Sequence, residues 1–274
     1  MNSQMEVLEV SKAYSGSERA LSALQNITFG IDKGEFVCIV GPSGCGKSTL
    51  LRIIAGLEKP TSGQVKFEGK LLANPHEKIS MVFQSFALFP WRTILGNVEY
   101  GLETQKFPKE ERRRIALECL ELVGLSDCEN MYPKQLSGGM KQRVGIARAL
   151  AVDPEIVLMD EAFSAIDEFT AETLREEVAE IHQETNKTFL LVTHNLPEAI
   201  ELADKIVVLS ARPGRVKNIL DVELDRPRDK DCSEFVQIHR DIFDLLKEEL
   251  ESSIVRHKIR CIHEFQKLHD MEGR

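Results

Sequence analysis

The chain has 274 residues, of which 42% are hydrophobic and 29% charged, and it carries a formal net charge of -9. That composition excludes large-scale disorder, and the acidic balance argues against a nucleic-acid partner, whose contact surfaces are basic. The six cysteines are scattered with no C-x-x-C pair, so neither a disulfide framework nor a zinc site is expected, and a reducing compartment is. The N-terminal stretch shows no basic segment followed by an apolar one, so no secretory signal is expected. No apolar run reaches ~20 residues, so any membrane role is expected to come through a partner.

In chain order, Glu6 to Val10 alternates as a strand, and Leu24 to Ile31 is a second β-like run. After a turn at Gly34, Glu35-Phe-Val-Cys-Ile-Val40 reads as a buried strand and leads into the glycine-rich segment from Gly41 to Gly46. A helix is predicted from about Lys47 to Ala55, ending near Gly56. Pro60 to Gly63 is a turn, and Gln64 to Phe67 and Ile79 to Phe83 are strands. From about Ser85 to Leu150 the β signal fades and helical periodicity takes over, notably from Pro108 to Val123, which predicts a helical insertion. Alternation then returns: strand Glu155 to Asp160, helix Glu168 to Thr185, strand Thr188 to Thr193, a helix around Pro197 to Ala203, and strand Lys205 to Leu209. Strands alternating with helices imply a parallel sheet covered on both faces. Gly214 to Leu224 is a candidate edge strand, and Ser233 to Gly273 reads as two charged helices.

The segment Gly41, Pro42, Ser43, Gly44, Cys45, Gly46, Lys47, Ser48 matches G-x-x-x-x-G-K-[ST] and has the required strand before it and helix after it. Glycines let the backbone close around phosphate so that successive N–H groups and the helix N-terminus face the anion. Lys47 is expected to reach the β- and γ-phosphates and Ser48 to hold Mg²⁺, with Thr49 beside them in the nucleotide site. A carboxylate ending a neighbouring apolar strand completes such a site, and Asp160 supplies it. Glu161, one residue on, is placed to take a proton from an attacking water. Asn186-Lys187-Thr188-Phe189 begins like a guanine-selecting N-K-x-D but lacks the aspartate, so a GTPase is discounted. The phosphate loop alone leaves a small-molecule kinase open.

Leu136-Ser137-Gly138-Gly139-Met140 resembles the signature of ATP-binding cassette (ABC) proteins. Other segments then fall in that family's order: Gln84 resembles the Q-loop glutamine, which contacts Mg²⁺; Ser164 to Asp167 the D-loop; His194 the switch histidine; and Tyr14 the aromatic that stacks on adenine. The resemblance runs from about Glu6 to Arg215 and implies an α/β P-loop NTPase fold. In it a mainly parallel sheet is joined by an N-terminal antiparallel β part and a helical subdomain at about residues 85–150. Residues 1–220 would form the nucleotide-binding domain and 221–274 a C-terminal helical tail. Glutamine is usual in the family where Met140 stands. Ser137, Gly138 and Gly139 keep the hydroxyl and backbone N–H groups that contact the γ-phosphate, and activity is expected to survive.

The resemblance further implies ATP and Mg²⁺ as ligands and an ATP-bound homodimer. In that dimer each nucleotide lies between one subunit's phosphate loop and the other's Ser137 to Gly139, with Asp167 close by. Leu88 to Asn97, the signature and Leu209 to Arg215 resemble the nitrate/sulfonate/taurine group of importers. Partners would be integral-membrane permease subunits and, through them, a solute-binding protein, at the cytoplasmic face of the inner membrane. An ABC ATPase of the iron–sulfur assembly type is the alternative. Phe86, Leu88, Phe89 and Trp91 are expected either to grip a membrane partner or to fill core between insertion and sheet. His239, His257, His263 and His269, with Cys232 and Cys261, are read as scattered residues of amphipathic helices rather than a metal site.

Overall fold

Where the sequence runs apolar without a break, the chain forms strands buried on both faces. The structure is a computed structural model that describes residues 3–14 and 21–247. Its strands are β1 Met5–Tyr14, β2 Leu21–Ile31, β3 Phe36–Val40, β4 Ser62–Phe67, β5 Lys70–Leu71, β6 Ile79–Val82, β7 Ile156–Asp160, β8 Thr188–Thr193, β9 Lys205–Leu209 and β10 Val216–Asp221. The α-helices are α1 Lys47–Ile54, α2 Ile94–Val98, α3 Tyr100–Thr104, α4 Lys109–Leu122, α5 Gly138–Ala151, α6 Glu168–Thr185 and α7 Leu196–Leu202. Residues 233–247 are also helical.

The strands make two sheets. One has the order β2-β1-β4-β5 and is antiparallel throughout. The other has the order β10-β9-β3-β8-β7-β6 and is parallel except for β10, which adds the expected edge strand antiparallel to β9. Alternate residues of the central strands serve two separate cores. Cys38, Val40, Val157, Met159, Leu191 and Val208 face the helical insertion, α6 and α7. Val37, Ile39, Leu158, Leu190, Val192 and Val207 face α1 and the antiparallel sheet. The insertion between β6 and β7 holds α2 to α5. Val222, Phe235 and Ile242 are buried in the first of these cores, so the chain beyond β10 packs back onto the body.

Element boundaries shift where pairing and capping extend or trim them. β1 continues past Val10 to Tyr14, with bulges, because Ser11 pairs with Ser62 of β4 and Lys12 to Tyr14 pair with β2. The helix α5 begins inside the signature, at Gly138, because the Ser137 hydroxyl caps it by accepting from the Met140 N–H at 3.3 Å. Of the tail residues, His257, His263, His269 and Cys261 lie outside the described residues. His239 stacks on Phe243, with ring centroids 6.4 Å apart.

Asn97 pins the start of the insertion. It is fully buried, accepts from Phe89 N–H at 2.7 Å, and donates to the carbonyls of Phe89 and Thr93 at 3.2 and 2.9 Å. Asn97→Ala leaves those buried groups unpaired, at a cost of about 1–3 kcal/mol. The melting temperature should fall by several degrees, on the scale of about 2–4 °C per kcal/mol. Calorimetry of the variant checks this, and an unchanged melting temperature contradicts it.

Candidate active site

The carboxyl ends of β3, β6, β7 and β8 open onto one edge of the parallel sheet, and each delivers a different side chain there. β3 runs into the phosphate loop and α1. Gly44 and Gly46 have φ of +76° and +106°, in the left-handed region that disfavours other residues. A Cβ on Gly46 would also lie 2.7 Å from Leu24 Cδ2. The loop is thus bent tightly against β2 and aims the N-terminus of α1 outward. The Lys47 ammonium spans the loop, donating to the carbonyls of Gly41 at 2.8 Å and Pro42 at 3.2 Å.

β7 contributes Asp160 and Glu161. Asp160 accepts from the Ser48 hydroxyl at 2.8 Å, and burial pushes its pKa up. Glu161 has a φ of +46°, which swings its side chain out of the strand direction. Its Oε2 accepts from Gln84 Nε2 at 3.1 Å, and its Oε1 lies 3.5 Å from His194 Nδ1. Gln84, beyond the end of β6, also reaches Ser164 Oγ at 3.3 Å. The structure therefore gathers Gln84, Asp160, Glu161 and His194 around the phosphate loop. A cavity of about 310 Å³ there is lined by Ser43, Gly44, Lys47, Ser48, Thr49 and Glu161, among others. At about 550 Å³ a larger cavity lies between α6 and residues 226–230, but Lys230 pairs with Glu172 there, and among the described residues no glycine loop lines it.

Tyr14 stands at the same edge, 38% exposed, with its hydroxyl 3.2 Å from Thr49 Oγ1 and the Lys12 ammonium 5.1 Å from its ring centroid. The signature is not brought to this cavity within one chain. Ser137 is exposed and lines a separate cavity with Met140, Arg143 and Thr170. Gly139 packs where a Cβ would meet Thr170 Cγ2 at 2.4 Å, which fixes the signature against α6. Asp167 caps α6 by accepting from the Thr170 N–H at 3.0 Å, and that bond holds its pKa down. Cys45 is buried, and burial raises its pKa.

Beyond Gln84, Phe86 and Ala87 both have positive φ, +61° and +49°. Arg148 of α5 holds them, donating to the Ala87 carbonyl at 2.6 Å and the Phe86 carbonyl at 3.0 Å. Sequence reasoning gave Arg148 no role, since nothing in its spacing on a helix marks a loop as its partner. The apolar run after Gln84 is split between surface and interior. Leu88 packs against the core, whereas Trp91 is 72% exposed. Trp91 sits beside Phe89, which packs on Tyr100 with centroids 4.5 Å apart.

Comparison with known proteins places this geometry. The family model described as "ABC transporter" matches residues 24–164. An uncharacterized ABC transporter ATP-binding protein of Methanocaldococcus jannaschii is 47% identical over 93% of this chain and 95% of its own length. The nitrate import ATP-binding protein NrtD of Synechocystis is 45% identical over 80% of this chain and 83% of its own length. The aliphatic sulfonates import ATP-binding protein SsuB of Bacillus cereus is 41% identical over 87% of this chain and 94% of its own length. Among solved structures, the dimeric post-hydrolysis state of the ATP-binding cassette MJ0796 bound to ADP and Pi superposes with a TM-score of 0.73. It is 38% identical and covers 80% of this chain and 99% of that one. Both the sequence and the arrangement of strands, phosphate loop and strand-end acids thus make this chain a member of the ABC transporter family, an ATP-hydrolysing ATP-binding domain.

Proposed function

We propose that this chain powers an importer of nitrate, a sulfonate, taurine or a similar small solute. It would act as a homodimer at the cytoplasmic face of the inner membrane, seated on integral-membrane permease subunits that receive solute from a separate binding protein. The observation that carries the ATPase half of this reading is the facing of Lys47 and the Ser48–Asp160 pair toward Gln84, Glu161 and His194. The importer half is supported by the nitrate and sulfonate relatives, each of which is matched over most of its length.

Tyr14 would stack on adenine, and the loop from Gly41 to Thr49 would wrap the phosphates. Ser48, Asp160 and Gln84 would hold Mg²⁺. These hard oxygen donors fit that ion, and a cation would offset the cost of burying the Asp160 carboxylate. Such an ion would supply positive charge against the negative charge that builds on the phosphates. Glu161 would take the proton from the water that attacks the γ-phosphorus, held in position by Gln84 and flanked by His194. Ser137, Gly138 and Gly139 would meet the γ-phosphate of the opposite subunit, with Asp167 beside them. This fits the exposure of Ser137 in a cavity separate from its own chain's phosphate loop. ATP then favours the closed dimer because the contacts of its γ-phosphate with the opposite subunit exist only there.

Glu161→Gln should keep ATP binding and lose roughly a hundredfold or more in turnover, since an amide accepts no proton. The variant should accumulate as an ATP-bound dimer on size-exclusion chromatography, and near-normal turnover rejects Glu161 as the base.

The composite site has its own test. In a mixed dimer of Ser137→Arg and Lys47→Ala subunits, one site carries both lesions and the other neither. ATPase activity absent from each homodimer should return in part on mixing, and an ATP crosslink from Ser137 to its own chain's phosphate loop contradicts the arrangement.

The exposed Trp91, with the half-buried Phe89 beside it, would supply the surface for the permease. Phe89→Ala with Trp91→Ala should leave basal ATP hydrolysis near normal and abolish copurification with the permease and transport. Retained transport in that double variant removes the docking role.

A further inference from the structure

One cation at the phosphate loop has no part in the scheme above. Arg212 lies in the turn between β9 and β10, and its side chain lines the same 310 Å³ cavity as Gly44, Lys47 and Ser48. We infer that Arg212 binds the inner phosphates, α and β, of the nucleotide held in its own subunit. The inference rests on reading that cavity as the ATP site.

The topology puts the turn there. β9 pairs with β3 in parallel, from Val37 opposite Lys205 to Val40 opposite Val208, so both strands end at the same edge. Gly41 leaves β3 so close to β9 that a Cβ on it would lie 3.0 Å from the Leu209 carbonyl oxygen. Ligands of open parallel sheets bind at this carboxyl edge.

The turn is also built to be rigid. Ser210 N–H donates to the Arg215 carbonyl at 2.9 Å, and Arg215 N–H donates to Ser210 Oγ at 3.0 Å. Gly214 then clips onto β2. Its N–H donates to the Ala23 carbonyl, and its carbonyl accepts from Gln25 N–H, both at 2.9 Å. A Cβ on Gly214 would lie 2.3 Å from the Cys45 carbonyl oxygen, so the turn's backbone rests directly on the phosphate loop. The Arg215 guanidinium is occupied with Gln25 Oε1, at 3.1 Å from its Nε.

Arg212 is different. It is exposed, and its Nε makes one long contact, 3.4 Å, to the Ser22 carbonyl. Among the described residues no carboxylate pairs with it, whereas Arg175 is paired with Glu168 and Glu201, and Arg226 with Asp204. A guanidinium offers a planar fork matched to phosphate oxygens, and here it opens onto a cradle of N–H groups shaped for phosphate. Its anchor point fixes which phosphates it meets. Ser22 pairs with Ala13, next to Tyr14, so Arg212 stands between the adenine platform and the phosphate loop. The ribose and the inner phosphates span that interval; the γ-phosphate lies beyond it, toward Glu161.

Displacement of a fluorescent ATP analogue by unlabelled ADP and ATP tests the assignment on the full chain. Arg212→Gln should raise the Kd of both nucleotides about tenfold with an unchanged melting temperature, and Arg212→Lys should lose less than Gln does. ADP is included because its binding does not depend on dimer closure. Weakened ATP binding with normal ADP binding overturns the proposal, since Arg212 would then act in closure rather than on the inner phosphates. Affinities for both within twofold of the unaltered chain also overturn it, provided Lys47→Ala loses binding in the same assay. If Lys47→Ala too binds normally, the cavity is not the nucleotide site, and the broader reading falls with this one.

Discussion

Everything at the active edge depends on the parallel ladder that seats β3 between β8 and β9 and carries β7 and β6 beyond β8. A parallel ladder aligns strand ends of the same polarity, so residues just past five strands meet although up to 169 positions separate Gly41 from Ser210. The ladder is held by burial on both faces, since its residues alternate between two full apolar cores. Neither core could be lost without unseating the phosphate loop, because Cys38 and Val40 belong to one and Val37 and Ile39 to the other.

That rigid edge tolerates local strain. Glu161, Phe86 and Ala87 all hold left-handed backbone without being glycine, at a cost of order 1–3 kcal/mol each. Each is over-determined by neighbours. Glu161 N–H donates to the Val192 carbonyl at 2.9 Å, and its own carbonyl accepts from Ser164 Oγ at 2.8 Å. Phe86 and Ala87 are gripped by Arg148. Because Arg148 belongs to the helix that Ser137 caps, the segment after Gln84 and the signature are joined through one helix. A movement of either would be passed to the other, a physical basis for linking the signature to the half-buried Phe89 and exposed Trp91.

The chain's acidity is no obstacle to binding a polyanion, because its net charge and its local field differ. Acidic residues crowd α6, where Glu172, Glu176 and Glu180 line an outer cavity, while Lys47 and Arg212 stand at the phosphate cradle with the N-terminus of α1. The acids that do enter the site, Asp160 and Glu161, come at strand ends and are each held by a donor, Ser48 and Gln84.

Much of this was legible in the sequence because it is local. The glycine spacing from Gly41 to Gly46 encodes its own turn, the unbroken apolar runs encode strands buried on both faces, and Asp160 ends its strand with Glu161 directly after it. The order of motifs, through the ABC resemblance, supplied Gln84, Ser137 and His194, which spacing alone does not mark. What the sequence could not carry is adjacency between distant segments. Nothing local says that β9 lies beside β3, so Arg212 reads as an ordinary residue in a Pro-Gly turn until the ladder sets it at the phosphate loop. Arg148 likewise reads as one basic residue on a helix until its loop partners are known. Trp91 and Leu88 are both apolar residues of one short run, and only packing makes one a surface and the other core. Sequence fixes what each segment can form by itself; which segments share an edge is settled by burying two faces of one sheet at once, a constraint that belongs to the whole chain.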